Sequence, residues 1–490
     1  MNKKLVKIIL AVVLCLTVVG GSIAGIVVVS KENKREKLVI YNWADYIAPN
    51  ITDDFVEYYK AKTGKDIEVV YSMFDTNETM ITEITKGDSQ IDLICPSEYA
   101  IQKLMAKGLI KKLDMPAEKY PYLSNVYPAI REKVDEVFTD IPAGGVANQK
   151  MNDYFVPYMW GTLGILYNVD IVTEEDLAEG WGLLWNKAEN PKIKGKILMK
   201  DSVRDVYAAT VVYLKEEGML DNTPYANLSI EELINKVDET LLGMTEKVLN
   251  EQRGHLKGYE VDFGKDDMVN GVAYVDLAWS GDALYAIEES YIESEERYFL
   301  DYFVPESGSN IWFDGWAIPT CAQNTGAAKE FINFLCRPDI AMRNMIEIGY
   351  TCAVNPETFQ TSRDEYNIAA VQNLIENEYV YELEGEREED GIYFDIDGVA
   401  YDMTEFFGDT RRYPAMNTDK LGVMQDFGAN NEKVVNMWER VKGGEEFPWQ
   451  LIVTIVGIVG GVAAIFGIIA VTKRVRGRRQ RLPDGTAELV

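Results

Sequence analysis

Side chains able to hold a cation gather in five short stretches. Trp43, Asp45 and Tyr46 stand in YNWADY, Ser97 and Tyr99 in PSEYA, Ser202 and Asp205 in DSVRD, Trp279 and Asp282 in WSGD, and Trp312 and Asp314 in WFD. An aromatic face attracts an ammonium group by about 0.5–1 kcal/mol when exposed and by about 2 kcal/mol or more when desolvated. A charge-assisted hydrogen bond to a carboxylate adds roughly 1.5–3 kcal/mol. Micromolar affinity takes about 8 kcal/mol, so several of these groups must act on one ligand. A linear diamine or triamine suits them: carboxylates hold its ends while flat rings sandwich its methylenes. An amino acid would need a cationic clamp for its own carboxylate, which these stretches do not offer. Any one pair is equally at home in a core, a cap or a turn; only the recurrence in five places points to a site.

Other chemistries find less support. The one histidine, His255, lies in the polar stretch EQRGHLKG with no nucleophile elbow beside it. There is no GxxxxGK[ST], no GxGxxG after a strand and no HExxH, so no cofactor or metal is expected. DIDG, residues 395–398, matches the start of a calcium loop but lacks the remaining ligand spacing. Paired-carboxylate hydrolysis by Asp205 and Asp314 stays open as an alternative. The formal charge is −30; residues 1–37 carry +5 and residues 447–490 carry +4, which leaves −39 on residues 38–446. Such a segment repels nucleic acid and attracts small cations. Cys15, Cys95, Cys321, Cys336 and Cys352 fit neither a metal pattern nor a dense disulfide scaffold, and the last four read as free thiols with one disulfide left open.

The elements that must position these residues alternate. KLVIYNW reads as a strand, FVEYYKAKTG as a helix capped by Asn50 or Thr52 and stopped by Gly64, IEVVYSMF as a strand, NETMITEITKG as a helix and IDLICPS as a strand. FVPYMWGTLGILYN, GKILMKD, VAYVDLAWSGD and IWFDGWAIP continue the series. This is an α/β pattern, with enough strand–helix blocks for two lobes. In such sheets ligands lie beyond the carboxyl ends of strands, where YNWADY and PSEYA fall.

Two uncharged runs, Ile8–Val29 and Leu451–Val471, are each long enough to cross a bilayer core of about 30 Å as a helix. Lys473, Arg474, Arg476, Arg478, Arg479 and Arg481 follow the second and should stay cytoplasmic. Two spans then put both termini inside and the acidic segment outside the cell membrane.

YNWADY, YSMFDTNETM, CPSEYAIQKLMAKGLI, VPYMWGTLGILYN, DSVRDVY, LAWSGDA, IWFDGWAIP and FINFLCRPDIAMRNMIEIGYTCAVNPE follow in this order. Together they resemble the spermidine/putrescine-binding proteins of polyamine ABC importers, over about residues 38–440. The resemblance implies a two-lobe periplasmic-binding-protein (type II) fold with a chain that crosses between lobes. Lobe one would be 38–157 plus 314–358, and lobe two 158–313 plus 359–446. Residues 1–37 would be a transmembrane anchor or uncleaved signal, 447–472 a transmembrane helix and 473–490 a basic cytoplasmic tail. The implied partners are a polyamine, the permease subunits of an ABC transporter and, through them, a cytoplasmic ATPase. Matched position by position, Trp43, Tyr46, Ser97 and Tyr99 line the cleft, and Trp279 and Trp312 enclose the methylene chain. Asp314 holds an amine, Asp205 stands for a glutamate at the other end, and Gln425 in VMQDFG stands for a terminal-amine ligand. Ser202 replaces a frequent aspartate, and Asp282, where serine is common, would restore that charge. The same fold used as an extracellular sensor, or a membrane-anchored hydrolase, is the alternative function.

Overall fold

The computed structural model describes residues 36–443, apart from Asp88, Asp140, Ser362 and Asn417. Both apolar runs, Cys15 and the basic tail lie outside the described residues. Among the described residues no helix is long and apolar enough to cross a membrane. The described chain up to Val434 falls in one compact unit, and a final helix, Asn431–Gly443, runs on into a second.

β1 (Glu36–Trp43) pairs in parallel with β2 (Ile67–Phe74), from Glu36 opposite Ile67 to Trp43 opposite Phe74. Between them runs α1 (Ile51–Thr63), which buries Ile51, Phe55 and Tyr59, spaced four apart on one face. Asn50 occupies its N-cap position without a side-chain cap, and Gly64 closes it in the left-handed conformation. α2 (Asn77–Lys86) leads to β3 (Leu93–Ile94), which is shorter than IDLICPS promised. Asp92 takes the Val39, Gln323 and Asn324 N–H groups on its carboxylate, and Ser97 already occupies the N-cap position of α3 (Glu98–Ala106), without a side-chain capping bond.

Two long strands tie the molecule together. β4 (Phe155–Asn168) is buried over all 14 residues, as an apolar strand covered on both faces should be. After it come β5 (Ile197–Lys200), α4 (Val203–Glu216), β6 (Leu256–Glu260), α5 (Gly264–Val269), β7 (Val275–Trp279), α6 (Ser280–Glu289) and β8 (Leu300–Phe303). The second long strand, β9 (Ser309–Ala317), lies antiparallel to β4. α7 (Thr325–Leu335), α8 (Pro338–Ile348), β10 (Thr351–Cys352), α9 (Glu365–Glu376), β11 (Tyr381–Glu382), β12 (Tyr393–Ile396), β13 (Val399–Asp402) and β14 (Leu421–Gly422) follow. The main sheet runs β2-β1-β3-β9-β4-β7-β5-β6, with β8 and β10 also on β4 and β14 on β9.

The register divides each long strand. The Ala317 end of β9 pairs with β3, while its Ser309 end pairs with β14. Likewise Met159 and Trp160 of β4 pair with β10, and Leu163–Tyr167 pair with β7. The β4–β9 register shifts between Asp314 and Gly315, an irregularity of the kind that re-aims side chains beside sites.

The placement of residues 359–407 departs from expectation. Phe359, Ala370, Val371, Leu374, Phe394, Met403, Phe406 and Phe407 share one buried cluster with Leu38, Phe55 and Phe331, so this stretch packs with the β1 half rather than the β7 half. The later segment joins the other half: Arg411 pairs with Asp301 of β8 at 2.8 Å, and β14 pairs with β9. DIDG, which lacks the spacing of a calcium loop, is part of a hairpin. It forms the turn between β12 and β13, with Asp397 at φ 51° and Gly398 at φ 85°, as a tight hairpin of this twist requires. Among the described residues no cluster of three or more potential metal ligands occurs, and Cys95, Cys321, Cys336 and Cys352 are free thiols.

Candidate ligand-binding site

Most of the singled-out residues meet where the two halves of the sheet adjoin. Trp43 ends β1 and Trp279 ends β7, each at the carboxyl end of a parallel strand. Ser97 and Ser202 stand at the N-caps of α3 and α4, and Asp205 and Asp282 lie in the first turns of α4 and α6. There the helix N-terminus favours a negative charge. Trp312 and Asp314 sit two apart on β9 and so point to one side of the sheet.

Asp314 is the centre. Its Oδ2 accepts the Tyr46 hydroxyl at 2.8 Å, the Ser97 side chain bonds it as well, and Ser97 and Asp314 form an isolated bridge. Oδ1 is buried and finds no hydrogen-bond partner among the described residues. Burial pushes the carboxyl up to about 7, against those two hydrogen bonds and with the help of nearby negative Asp205. Asp205 is raised too, chiefly by burial, although it is bonded by the Ser202 side chain and the Trp279 indole. Rings close the space between them. Tyr46 meets Tyr350 edge-on at 4.8 Å, and Trp312 meets Tyr350 at 5.8 Å. The buried indole N–H groups of Trp43 and Trp312 also lack hydrogen-bond partners among the described residues. An unpaired buried carboxylate oxygen is costly, and ammonium is the group that would satisfy it.

Four expected residues are placed differently. Asp45 adopts φ 48°, which breaks the strand alternation; its carboxylate is exposed and pairs with Lys265 on α5 at 3.4 Å. Asp282 offers no free charge, since Lys200 lies 3.5 Å from one oxygen and Lys265 3.8 Å from the other. The Tyr99 ring is covered by the buried Arg204 guanidinium at 4.5 Å, and its hydroxyl accepts from Asn77 at 2.9 Å. Gln425 is fixed through its backbone, which donates to Asn235 and accepts from Arg204.

Three residues escaped the sequence reading. Tyr350 bonds Asp282 through its hydroxyl, and its ring rests on Gly281, where an added Cβ would lie 2.2 Å from the ring. Glu98 is fully buried, accepts the Phe313 N–H at 2.9 Å, and is pushed by burial to about 8. Lys200 is buried among Glu260, Asp276 and Asp282. Its signal was present: a lysine that ends the apolar strand ILMK beside a site motif.

A family model of bacterial extracellular solute-binding proteins matches residues 54–367. The chain belongs to that family. Among curated relatives of this solute-binding protein, the putrescine-binding periplasmic protein SpuD of Pseudomonas aeruginosa is 28% identical over 389 residues, 78% of this chain and 94% of SpuD. The spermidine/putrescine-binding periplasmic protein of Escherichia coli is 28% identical over 314 residues, 64% of this chain and 76% of that protein. Among solved structures, the spermidine/putrescine ABC transporter substrate-binding protein PotD of Streptococcus pneumoniae matches with a TM-score of 0.53 and 26% identity, covering 83% of this chain and 98% of PotD. A Listeria monocytogenes chain assigned to spermidine/putrescine ABC transport matches with a TM-score of 0.59 and 26% identity, over 83% and 99%. The fold is therefore the two-lobe α/β fold of periplasmic binding proteins. The protein is a solute-binding protein rather than an enzyme, with an extracytoplasmic domain.

Proposed function

We propose that this chain is a membrane-tethered receptor that captures a polyamine of the spermidine/putrescine type between its lobes and delivers it to an ABC importer. The observation that carries this reading is Asp314: a buried carboxylate with one oxygen unpartnered, walled by Tyr46, Trp312 and Tyr350 and answered by Asp205. The ligands named for SpuD and the Escherichia coli protein agree with it. In this reading lobe one is about 38–157 plus 314–407, lobe two is 158–313 plus the segment around β14, and the binding residues proper are Trp43, Tyr46, Ser97, Ser202, Asp205, Trp279, Trp312 and Asp314. The runs at 8–29 and 451–471 serve as anchors that hold the receptor beside its permease, a tether that raises effective concentration to about the millimolar range. Calorimetry of the full-length chain in neutral detergent, with putrescine, spermidine, spermine and 1,4-butanediol, tests the proposal. Micromolar or tighter binding of an amine and no heat with the diol is expected. Equal binding of the diol, or no heat with any amine, would overturn it.

A further inference from the structure

Of Asp45, Asp205, Asp282 and Asp314, two are already paired with cations of this chain. Lys200 ends β5 and is 1% exposed. Its Nζ lies 2.5 Å from Glu260 Oε1, 3.2 Å from the Val261 carbonyl, 3.5 Å from Asp282 Oδ2 and 4.4 Å from the centre of the Trp279 ring. Burial alone would lower its pKa, but Glu260, Asp276 and Asp282 together hold it charged. Lys265 takes the other oxygen of Asp282 and reaches Asp45, with Asp262 nearby. Asp205 and Asp314, by contrast, are bonded by hydroxyls and an indole.

We infer that Lys200 is a specificity-determining residue: its ammonium occupies the Trp279 face and Asp282, where a ligand cation would otherwise bind, and so limits the bound amine to two charges. The inference rests on the amine-binding reading above. Two ammonium groups match Asp205 and Asp314. A third placed at Asp282 would share it with Lys200 and Lys265, and one placed toward Tyr99 would approach Arg204, which lies between the Tyr99 and Phe427 rings at 4.5 and 3.5 Å. Either position sets like charges together in a poorly hydrated site, where repulsion is strong. Glu98 offers no relief, because burial keeps its carboxyl largely protonated at neutral pH.

Calorimetry of the full-length chain with putrescine, spermidine and N1-acetylspermidine tests this; the last is a dication of nearly the triamine's length. The native chain should bind putrescine about tenfold or more tighter than spermidine, and acetylation should improve the binding of spermidine. The double variant Lys200→Met/Glu260→Gln, which removes the buried cation together with its nearest acid, should shift the spermidine-to-putrescine Kd ratio about tenfold or more toward spermidine. An unchanged ratio in a variant that melts cooperatively and binds putrescine would overturn the inference while leaving amine binding intact. Tighter binding of spermidine than of its acetylated form by the native chain would overturn it without any variant. Failure of the native chain to bind all three would remove the amine-binding reading, and this inference with it.

Discussion

Asp314 carries the heaviest demand on a single side chain. Burial raises its carboxyl to about 7, so the free protein holds a proton there that the unfolded chain, near 3.8, would release. The stability this proton confers is complete below about pH 4 and is lost as pH rises through about 7. An ammonium ligand needs the carboxylate, so binding near pH 7 should expel up to one proton, and affinity should fall as pH drops below 7, by at most about tenfold per unit. Titrations in phosphate and in Tris should therefore give different heats; identical heats would count against Asp314 as an amine partner. The tryptophans separate site from scaffold. Trp181 is fully buried, with its indole N–H on the Gly308 carbonyl at 2.9 Å, and Trp181→Ala should cost about 3–5 kcal/mol of stability in denaturant titration while leaving Kd nearly intact. Trp312→Ala should instead raise Kd about tenfold, with a smaller effect on unfolding. Strand alternation sets Trp312 and Asp314 on one side of β9, and a helix start sets Asp205 in the first turn of α4, both legible in the sequence. Tyr46, by contrast, lies beyond the end of β1, where alternation no longer applies. Sequence spacing could not show that Asp45 and Asp282 are paired, since their partners Lys200 and Lys265 are contributed by elements distant in the chain from one or both of them.

At the scale of elements, the contact between the start of α6 and the end of α8 joins the two halves of the sheet. Gly281 lies under the Tyr350 ring, and Gly349, at φ 79°, comes close to the Gly281 carbonyl. A Cβ at position 281 would force the ring and α6 apart. Gly281→Ala should therefore weaken amine binding more than it lowers the melting temperature, and should leave the amine-bound chain with a larger radius of gyration than the native complex in small-angle scattering. An unaltered radius with unaltered affinity would mean that this contact does not govern closure. The strands β1, β2, β4, β5, β7 and β9 were all legible from apolar runs. β3 is shorter than its apolar run: Asp92 still donates its N–H to the Val39 carbonyl, but its carboxylate takes the Val39, Gln323 and Asn324 N–H groups, contacts that no local pattern reveals.

For the whole molecule, alternation of strands and helices gave the α/β class, and the family match and structural neighbours agree with two lobes. The chain's last crossing was misplaced. Residues 359–407 return to the β1 half because Phe359, Phe394, Phe406 and Phe407 complete its core, a choice set by tertiary burial rather than by any turn signal. Within that stretch the acidic run 384–402 forms β12 and β13 against β11, with Arg387 paired to Asp395. In the proposed complex one linear amine spans Asp205 and Asp314 between the lobes. A crystal structure of the full-length chain with putrescine tests it most directly. One nitrogen is expected within about 3 Å of Asp314 Oδ1, the other beside Asp205, and the methylenes against Trp312 and Trp279. Putrescine bound elsewhere, with Asp314 Oδ1 still unpartnered, would contradict it.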